Sequence, residues 1–250
     1  MPMNKRKLTP ICLLHYIKLF CRSALFAAAL VCYIIFRTKG EDPLQGFSFV
    51  GVVLAVIWVI YALEMACRFF PSKLESMGCQ KQFERNYMST EETEPKLQSP
   101  WRTFFVALAW FALNGIFGIL YFCGVIDKGI LVLISLAYGV CDMICILFFC
   151  PFQTWIMKNR CCTVCRIYNW DFAMMFTPYI FVMTPYTWSL LGLSLLLLLR
   201  WEIGYKMFPE RFSDKTNAYI RCQNCTEKLC RHKKQLKSFI AKNKARFRFK

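Results

Sequence analysis

The stretch that decides the fold runs from Thr103 to Phe149 and reads TFFVALAWFALNGIFGILYFCGVIDKGILVLISLAYGVCDMICILFF. It contains two apolar runs, Thr103 to Ile126 and Ile130 to Phe149, joined by the polar turn Asp127-Lys128-Gly129. Each run has about 20 residues, and an α-helix of that length crosses a hydrocarbon core of about 30 Å. The stretch therefore predicts a transmembrane helical hairpin.

The apolar blocks on either side predict further membrane segments. Leu19 to Phe36 and Phe47 to Leu63 precede the hairpin, and we expect each to cross fully. Phe172 to Leu199 follows it and would be about 42 Å long as one helix, which is too long without strong tilt. Because it contains Pro178 and Pro185, we expect two arms that break near Pro185, as either two short spans or a re-entrant pair.

The predicted fold class is therefore all-α: a polytopic membrane helical bundle with four full spans, a C-terminal Pro-broken helical hairpin and a small cytosolic Cys-rich module. The hairpin brings the number of membrane segments to six. The composition agrees, because 57% of the residues are hydrophobic and they are grouped in blocks rather than dispersed. The 15 cysteines do not indicate a disulfide scaffold, since such scaffolds are short secreted chains.

The charge distribution predicts the orientation. The net charge is +17, and most Lys and Arg residues lie at the N-terminus, in the 68–102 and 150–171 loops, and in the tail. Basic segments of membrane proteins collect in the cytoplasm, so we expect both termini to be cytoplasmic. Charged residues near the span ends have local explanations: Lys18 and Arg22 would snorkel to one interface, while Glu64 and Arg68 would pair on one helix face.

These boundaries divide the chain into six parts. The 69–102 loop has no evident hydrophobic core, and we expect a surface linker with one helical turn around Cys79. The predicted parts are 1–68 (N-terminal segment and first two spans), 69–102 (cytosolic linker loop), 103–150 (transmembrane hairpin), 151–171 (cytosolic Cys-containing loop), 172–200 (final membrane hairpin) and 201–250 (basic cytosolic tail with Cys and His).

Residues 226–250 form a basic segment with a thin apolar stripe. Such a segment is typical either of a helix lying on anionic lipid or of a solvated basic tail. Nucleic acid is a weaker partner, because the segment contains no recognisable RNA-binding motif.

Two cysteine pairs predict a metal site. Cys162-x-x-Cys165 and Cys222-x-x-Cys225 are each spaced to place two thiolates on one ion, and two such turns complete a tetrahedral zinc site. Both pairs are predicted on one side of the membrane, with Cys230 as a further ligand. Cys161 and His232 are nearby alternates. An iron–sulfur cluster, redox-active thiols, or reduced cysteines without metal are the competing interpretations.

A second candidate site lies within the membrane. Asp142 is an acid in the middle of a predicted span, and such residues are costly and are usually functional. Asn114, in the preceding span, is the other polar candidate. The competing interpretation is that Asp142 only fixes helix packing, through a hydrogen bond with Asn114 or Tyr121.

Three functional classes follow from these features. The sequence shows no Ser–His–Asp set and no Gly-rich phosphate loop, so an enzyme is disfavoured. The leading hypothesis is a multi-pass membrane protein whose zinc module clamps its own loops or docks a cytosolic protein partner. The others are a small transporter or channel using Asp142 and the Pro-broken hairpin, and a membrane redox or iron–sulfur protein.

Overall fold

The computed structural model describes residues 9–39, 49–71, 77–159 and 161–225, and within these ranges the protein is helical without strands. The all-α prediction is confirmed for this part of the chain. The α-helices are α1 (Pro10–Lys39), α2 (Phe49–Phe69), α3 (Met77–Gln82), α4 (Pro100–Phe122), α5 (Lys128–Leu147), α6 (Asp171–Phe176) and α7 (Pro185–Met207).

Four of these helices, α1, α4, α5 and α7, are long and apolar enough to cross a membrane. The predicted hairpin is present as α4 and α5, and the polar turn between them caps α5. Asp127 Oδ1 accepts a hydrogen bond from the Ile130 amide at 2.9 Å. The other carboxylate oxygen, Oδ2, accepts from the Tyr33 hydroxyl at 2.9 Å, so the C-terminal part of α1 lies against this turn. We call this the turn end of the bundle.

The opposite end of the bundle carries a polar cap, which we define as residues 77–99, 150–159, 161–170 and 208–225. The helical turn expected around Cys79 is present as α3, but the structure differs from the expected linker without a core. Cys79 is fully buried, and the Phe83 ring lies 5.2 Å from that of Trp201. The hydrophobic neighbours of this segment, such as Tyr168 against Gly78 and Trp201 against Phe83, come from far along the chain, so its own composition does not reveal them.

The segment predicted to be the final membrane hairpin does not form two similar arms. Its first arm is the six-residue α6 followed by a 3₁₀ turn at Thr177–Phe181, and its second arm is the 23-residue α7. Pro185 lies in the first turn of α7, where Thr184 and Thr187 form a reciprocal capping box. A proline is tolerated in the first turn, because the amide it lacks would have no partner there. Pro185 therefore begins a full-length helix rather than breaking one.

Aromatic side chains from α2 and the first arm form the centre of the bundle. The buried rings of Tyr61, Phe172, Phe176 and Tyr179 stack or meet edge to face. Gly139 on α5 allows this approach, since a Cβ there would lie 2.5 Å from the Tyr61 hydroxyl oxygen. Large-to-small packing of this kind fixes how closely α2 and α5 approach.

Candidate functional site

A buried arginine links three helices near the cap. Arg22 on α1 is only 2% exposed, and its guanidinium lies 3.0 Å from Asp142 Oδ2 on α5 and 2.5 Å from Glu64 Oε2 on α2. It also donates to the carbonyl oxygen of Gly139 at 3.0 Å. The sequence-based expectation that Arg22 snorkels to the interface is therefore wrong. The buried arginine is stable here because two carboxylates and a carbonyl oxygen accept hydrogen bonds from its guanidinium.

A second buried pair lies beside the first. Arg68 at the end of α2 makes a two-pronged ion pair with Asp171, the first residue of α6, at 2.6 Å. The Arg68 guanidinium also lies 4.5 Å from the centre of the Phe172 ring. Arg68 thus pairs with a residue far along the chain instead of with Glu64, which was its predicted partner on the same helix face. Both differences arise because the partners approach only after the helices pack.

The two polar residues predicted within the membrane have different neighbours. Asp142 bonds a neighbouring helix, as the packing interpretation expected, but its partner is Arg22 rather than Asn114 or Tyr121. Asn114 is buried, and its amide donates to the carbonyl oxygen of Trp110, one turn earlier on the same helix, at 2.9 Å. The sequence contained one indication of this pairing. Arg22 lies at a similar depth in its predicted span as Glu64 and Asp142 do in theirs, so the charges could balance.

The first cysteine pair borders a cavity of about 140 Å³ between the bundle and the cap. Asp142 and Asp171 also line it, so the cavity begins at the ion pairs described above. We call it the sulfur-lined cavity, because five cysteines line it: Cys141, Cys145, Cys150, Cys162 and Cys165.

The two thiols of this pair differ in environment. The Cys162 thiol donates to Gln153 Oε1 at 3.1 Å. Cys165 is buried in a cluster with Val106, Met157 and Ile167, and this burial raises the pKa of its thiol to about 12. Cys165 is therefore held as a neutral thiol at neutral pH.

The second cysteine pair forms a turn of the same type. In each pair a 3₁₀ turn follows the first cysteine, and the amide of the second cysteine donates to the carbonyl oxygen of the first, at 3.0 Å for Cys165 and 3.3 Å for Cys225. Lys81 Nζ lies 3.7 Å from the Cys225 sulfur.

Cys161, rather than Cys162, is the neighbour of the second pair. Cys161 and Cys222 line the same surface groove of the cap. Burial raises the pKa of the Cys222 thiol, and the nearby Cys161 and Cys225 thiols raise it further. The structure thus directs Cys162 and Cys165 into the sulfur-lined cavity, and Cys161 towards Cys222.

No three His, Cys, Asp or Glu side chains are arranged to hold a metal ion in the part of the chain that the structure describes. Cys230 and His232, and the whole of the basic segment 226–250, lie outside the described residues. The zinc site accordingly remains a prediction.

Helix α3 connects the two cysteine turns. Gln82 donates to the Thr163 carbonyl oxygen within the first turn at 2.7 Å, while Lys81 reaches Cys225 in the second. Asn217, which is fully buried, donates to the carbonyl oxygens of Lys81 at 3.0 Å and Arg211 at 2.9 Å. Sequence reasoning missed α3 and Asn217 as the parts that position both turns, since neither carries a metal-ligand pattern.

No protein-family model, curated protein or solved structure matches this chain.

Proposed function

We propose that the chain is a multi-pass integral membrane protein with six membrane segments, whose polar cap holds a thiolate metal site. Four helices are long and apolar enough to cross, and α2 adds a 21-residue apolar helix that packs on α7. The remaining crossing would be the segment from Asp171 to Thr184. Its short helix, 3₁₀ turn and extended end together cover about 30 Å.

Contacts at the two ends of the segment from Asp171 to Thr184 support this crossing, which brings the total to six. Asp171 begins the segment at the cap, where it pairs with Arg68. Phe181 lies at the turn end, where its ring is 5.8 Å from that of Phe122 and packs on Gly118. Six crossings return the chain to the side on which it started.

The charge rule then orients the protein with the cap and both termini in the cytoplasm. Reporter fusions after residues 40, 90, 160 and 225 test this orientation. We expect an external reporter at 40 and internal reporters at the other three positions. An external reporter at 225 combined with an internal one at 160 would show that the segment from Asp171 to Thr184 does not cross.

The observation that carries the metal proposal is that α3 holds two cysteine turns of the same type. Cys-x-x-Cys pairs of this spacing supply the ligands of four-thiolate zinc sites. The groove shared by Cys161 and Cys222 favours the ligand set Cys161, Cys222 and Cys225, with Cys230 as the fourth. The original set with Cys162 and Cys165 would require their thiols to leave the sulfur-lined cavity.

In this proposal zinc binding is coupled to the order of the cap. Sites of this kind are rarely formed before the metal binds, so the binding free energy becomes folding free energy. Zinc would clamp the loop at 161 to the chain around 222 and fix how the basic segment 226–250 leaves the cap. That clamped surface is where a cytosolic protein partner or anionic lipid would meet the protein.

Elemental analysis of the purified full-length protein tests the proposal. We expect about one zinc per chain, lost in Cys222→Ser and Cys225→Ser. Cys32→Ser is the matched control, because Cys32 is a buried cysteine in α1 far from the cap. Loss of zinc in Cys161→Ser but not in Cys162→Ser would select the revised ligand set, and the reverse result would select the original one.

Two other results of the elemental analysis would contradict the zinc proposal. Iron with acid-labile sulfide would replace the zinc proposal by an iron–sulfur protein. A metal-free protein that also fails to take up added zinc would remove the metal site altogether.

Transport is the second proposed function, and the observation that favours it is that the Asp142 carboxylate borders the sulfur-lined cavity. An ion-dependent uptake signal that disappears in Asp142→Asn would support it, provided that the variant retains its fold. Uptake unchanged by that substitution would leave Asp142 as a link between helices.

A further inference from the structure

A second groove of about 560 Å³ lies where α7 leaves the apolar region, on the outer face of the cap. Its walls come from α7, from the segment around Phe83 and from the 3₁₀ turn at Pro209–Phe212. Three arginines line it, namely Arg85, Arg200 and Arg211, together with a single acid, Glu84. We propose that this groove binds the headgroup of an anionic phospholipid from the leaflet at the cap end.

The charges in the groove are unbalanced. Glu84 pairs with Arg211 at 3.1 Å and is itself largely exposed. Arg85 and Arg200 are both exposed, and within the described ranges neither has an acidic partner. The groove therefore carries about two uncompensated positive charges, which a phosphate diester with an anionic headgroup would complement.

Aromatic rings hold two of the arginines in position. The Arg200 guanidinium lies 5.7 Å from the ring centres of Phe69 and Phe83, and that of Arg211 lies 4.0 Å from the ring of Phe208. The Arg200 guanidinium therefore lines the groove without a carboxylate partner among the described residues, whereas that of Arg211 also pairs with Glu84. Arginine presents a planar fork of donors that fits phosphate oxygens.

The surface of α7 below the groove is suited to acyl chains. Leu196 and Leu199 precede the groove-lining residues of this helix, lie on one helix face and are 56–57% exposed. Arg200, Trp201 and Glu202 interrupt the apolar run of this helix, as residues at a membrane interface do. A lipid whose tails lie along this stripe would have its headgroup at the level of the three arginines.

Lipid retention measured by native mass spectrometry of the full-length protein tests the proposal. The probes are phosphatidylglycerol and phosphatidylcholine with identical acyl chains. We expect the wild type to retain phosphatidylglycerol preferentially. Because each arginine near an anionic surface contributes about fivefold to affinity, Arg85→Gln/Arg200→Gln should lower the preference by roughly 25-fold.

The matched control removes two positive charges outside the groove. Lys206→Gln/Lys96→Gln is suitable, because both residues are exposed, lie at the same end of the molecule and do not line this groove. We expect this variant to keep the preference, and Arg85→Lys/Arg200→Lys to keep most of it. Circular dichroism and gel filtration identify any variant that has lost its fold. If the double glutamine variant does, the single variants Arg85→Gln and Arg200→Gln serve as the test, each with an expected loss of about fivefold.

Three results would overturn the proposal. Equal retention of the two lipids by the wild type would remove it. Equal loss in the groove and control variants would show that only the overall positive charge matters. Displacement of phosphatidylglycerol by excess inorganic phosphate would identify the groove as a site for soluble phosphate. None of these results depends on whether the cap binds zinc.

Discussion

The bundle and the polar cap satisfy their buried polar groups in different ways. In the bundle the backbone is satisfied within the helices, and the buried polar contacts include charged pairs such as Arg22 with Asp142 and Glu64. In the cap the chain forms short helices and turns, and amide side chains complete its backbone hydrogen bonds. Asn217 and Gln82 are the clearest examples. The bundle therefore depends on charge balance, whereas the cap depends on individual amides at exact positions.

The largest expected effect comes from removing the charge at the centre of the bundle. Arg22→Met leaves the carboxylates of Glu64 and Asp142 buried without their main partner, which should cost about 3–5 kcal/mol of stability. Unfolding of the detergent-solubilised protein by heat or denaturant measures it. The control is Arg37→Met, since Arg37 is 72% exposed in its pair with Asp127 and should contribute at most about 1 kcal/mol.

A compensating variant sharpens this test. In Arg22→Met/Glu64→Gln/Asp142→Asn the buried guanidinium and both of its carboxylates are gone. Only the Lys18 ammonium, which lies 3.7 Å from Glu64, loses a charged partner, so we expect most of the lost stability to return. A triple variant as unstable as Arg22→Met would show that hydrogen-bond geometry, and not charge balance, stabilises the bundle.

The next effect concerns the cap. Asn217→Ala removes two donors and also the acceptor for the Tyr219 amide at 3.1 Å, leaving buried backbone groups unpaired. We expect a loss of about 2–4 kcal/mol. Hydrogen exchange should increase in α3 and around residue 217 while the helices of the bundle keep their protection.

Two companion variants define the cause. Asn224→Ala removes one exposed hydrogen bond, to the Ala218 carbonyl oxygen, and should change exchange little. Asn217→Asp keeps the acceptor and removes the donors, so we expect it to behave like Asn217→Ala. An Asn217→Asp protein with normal exchange would mean that the two donated bonds contribute little to the cap.

The smallest effect compares close packing in the two regions. Gly139→Ala would place a Cβ 2.5 Å from the Tyr61 hydroxyl oxygen in the bundle, and Gly78→Ala would place one 2.2 Å from the Tyr168 ring in the cap. Each should cost about 1–3 kcal/mol of thermal stability. Gly192→Ala is the control, because nothing lies within 4 Å of the added Cβ and alanine favours helix. A loss in Gly192→Ala equal to that in Gly139→Ala would contradict the steric explanation.

The sequence by itself determined the helical class and the principal apolar segments. Runs such as Thr103 to Ile126 can be recognised from the sequence alone. Every backbone hydrogen bond of a spanning helix is made within the segment, so the run needs only to be apolar and long enough to cross the membrane. The turn at Asp127 could be predicted for the same local reason. The spacing of the two cysteine pairs also predicted their turns, since a Cys-x-x-Cys turn involves only neighbouring residues.

Tertiary structure decided which side chains meet. The partners of Arg22 come from residues 64 and 142, and burial makes the pairing specific only after three helices have packed. From the sequence, Pro185 could either break a helix or begin one. In the structure it begins α7, because Thr184 and Thr187 form a capping box there. The cap shows the same limit most clearly, because α3 has too few apolar residues to form a core alone. Asn217 stabilises it directly, and Trp201 does so through the adjacent Phe83; no local pattern in the sequence encodes this proximity.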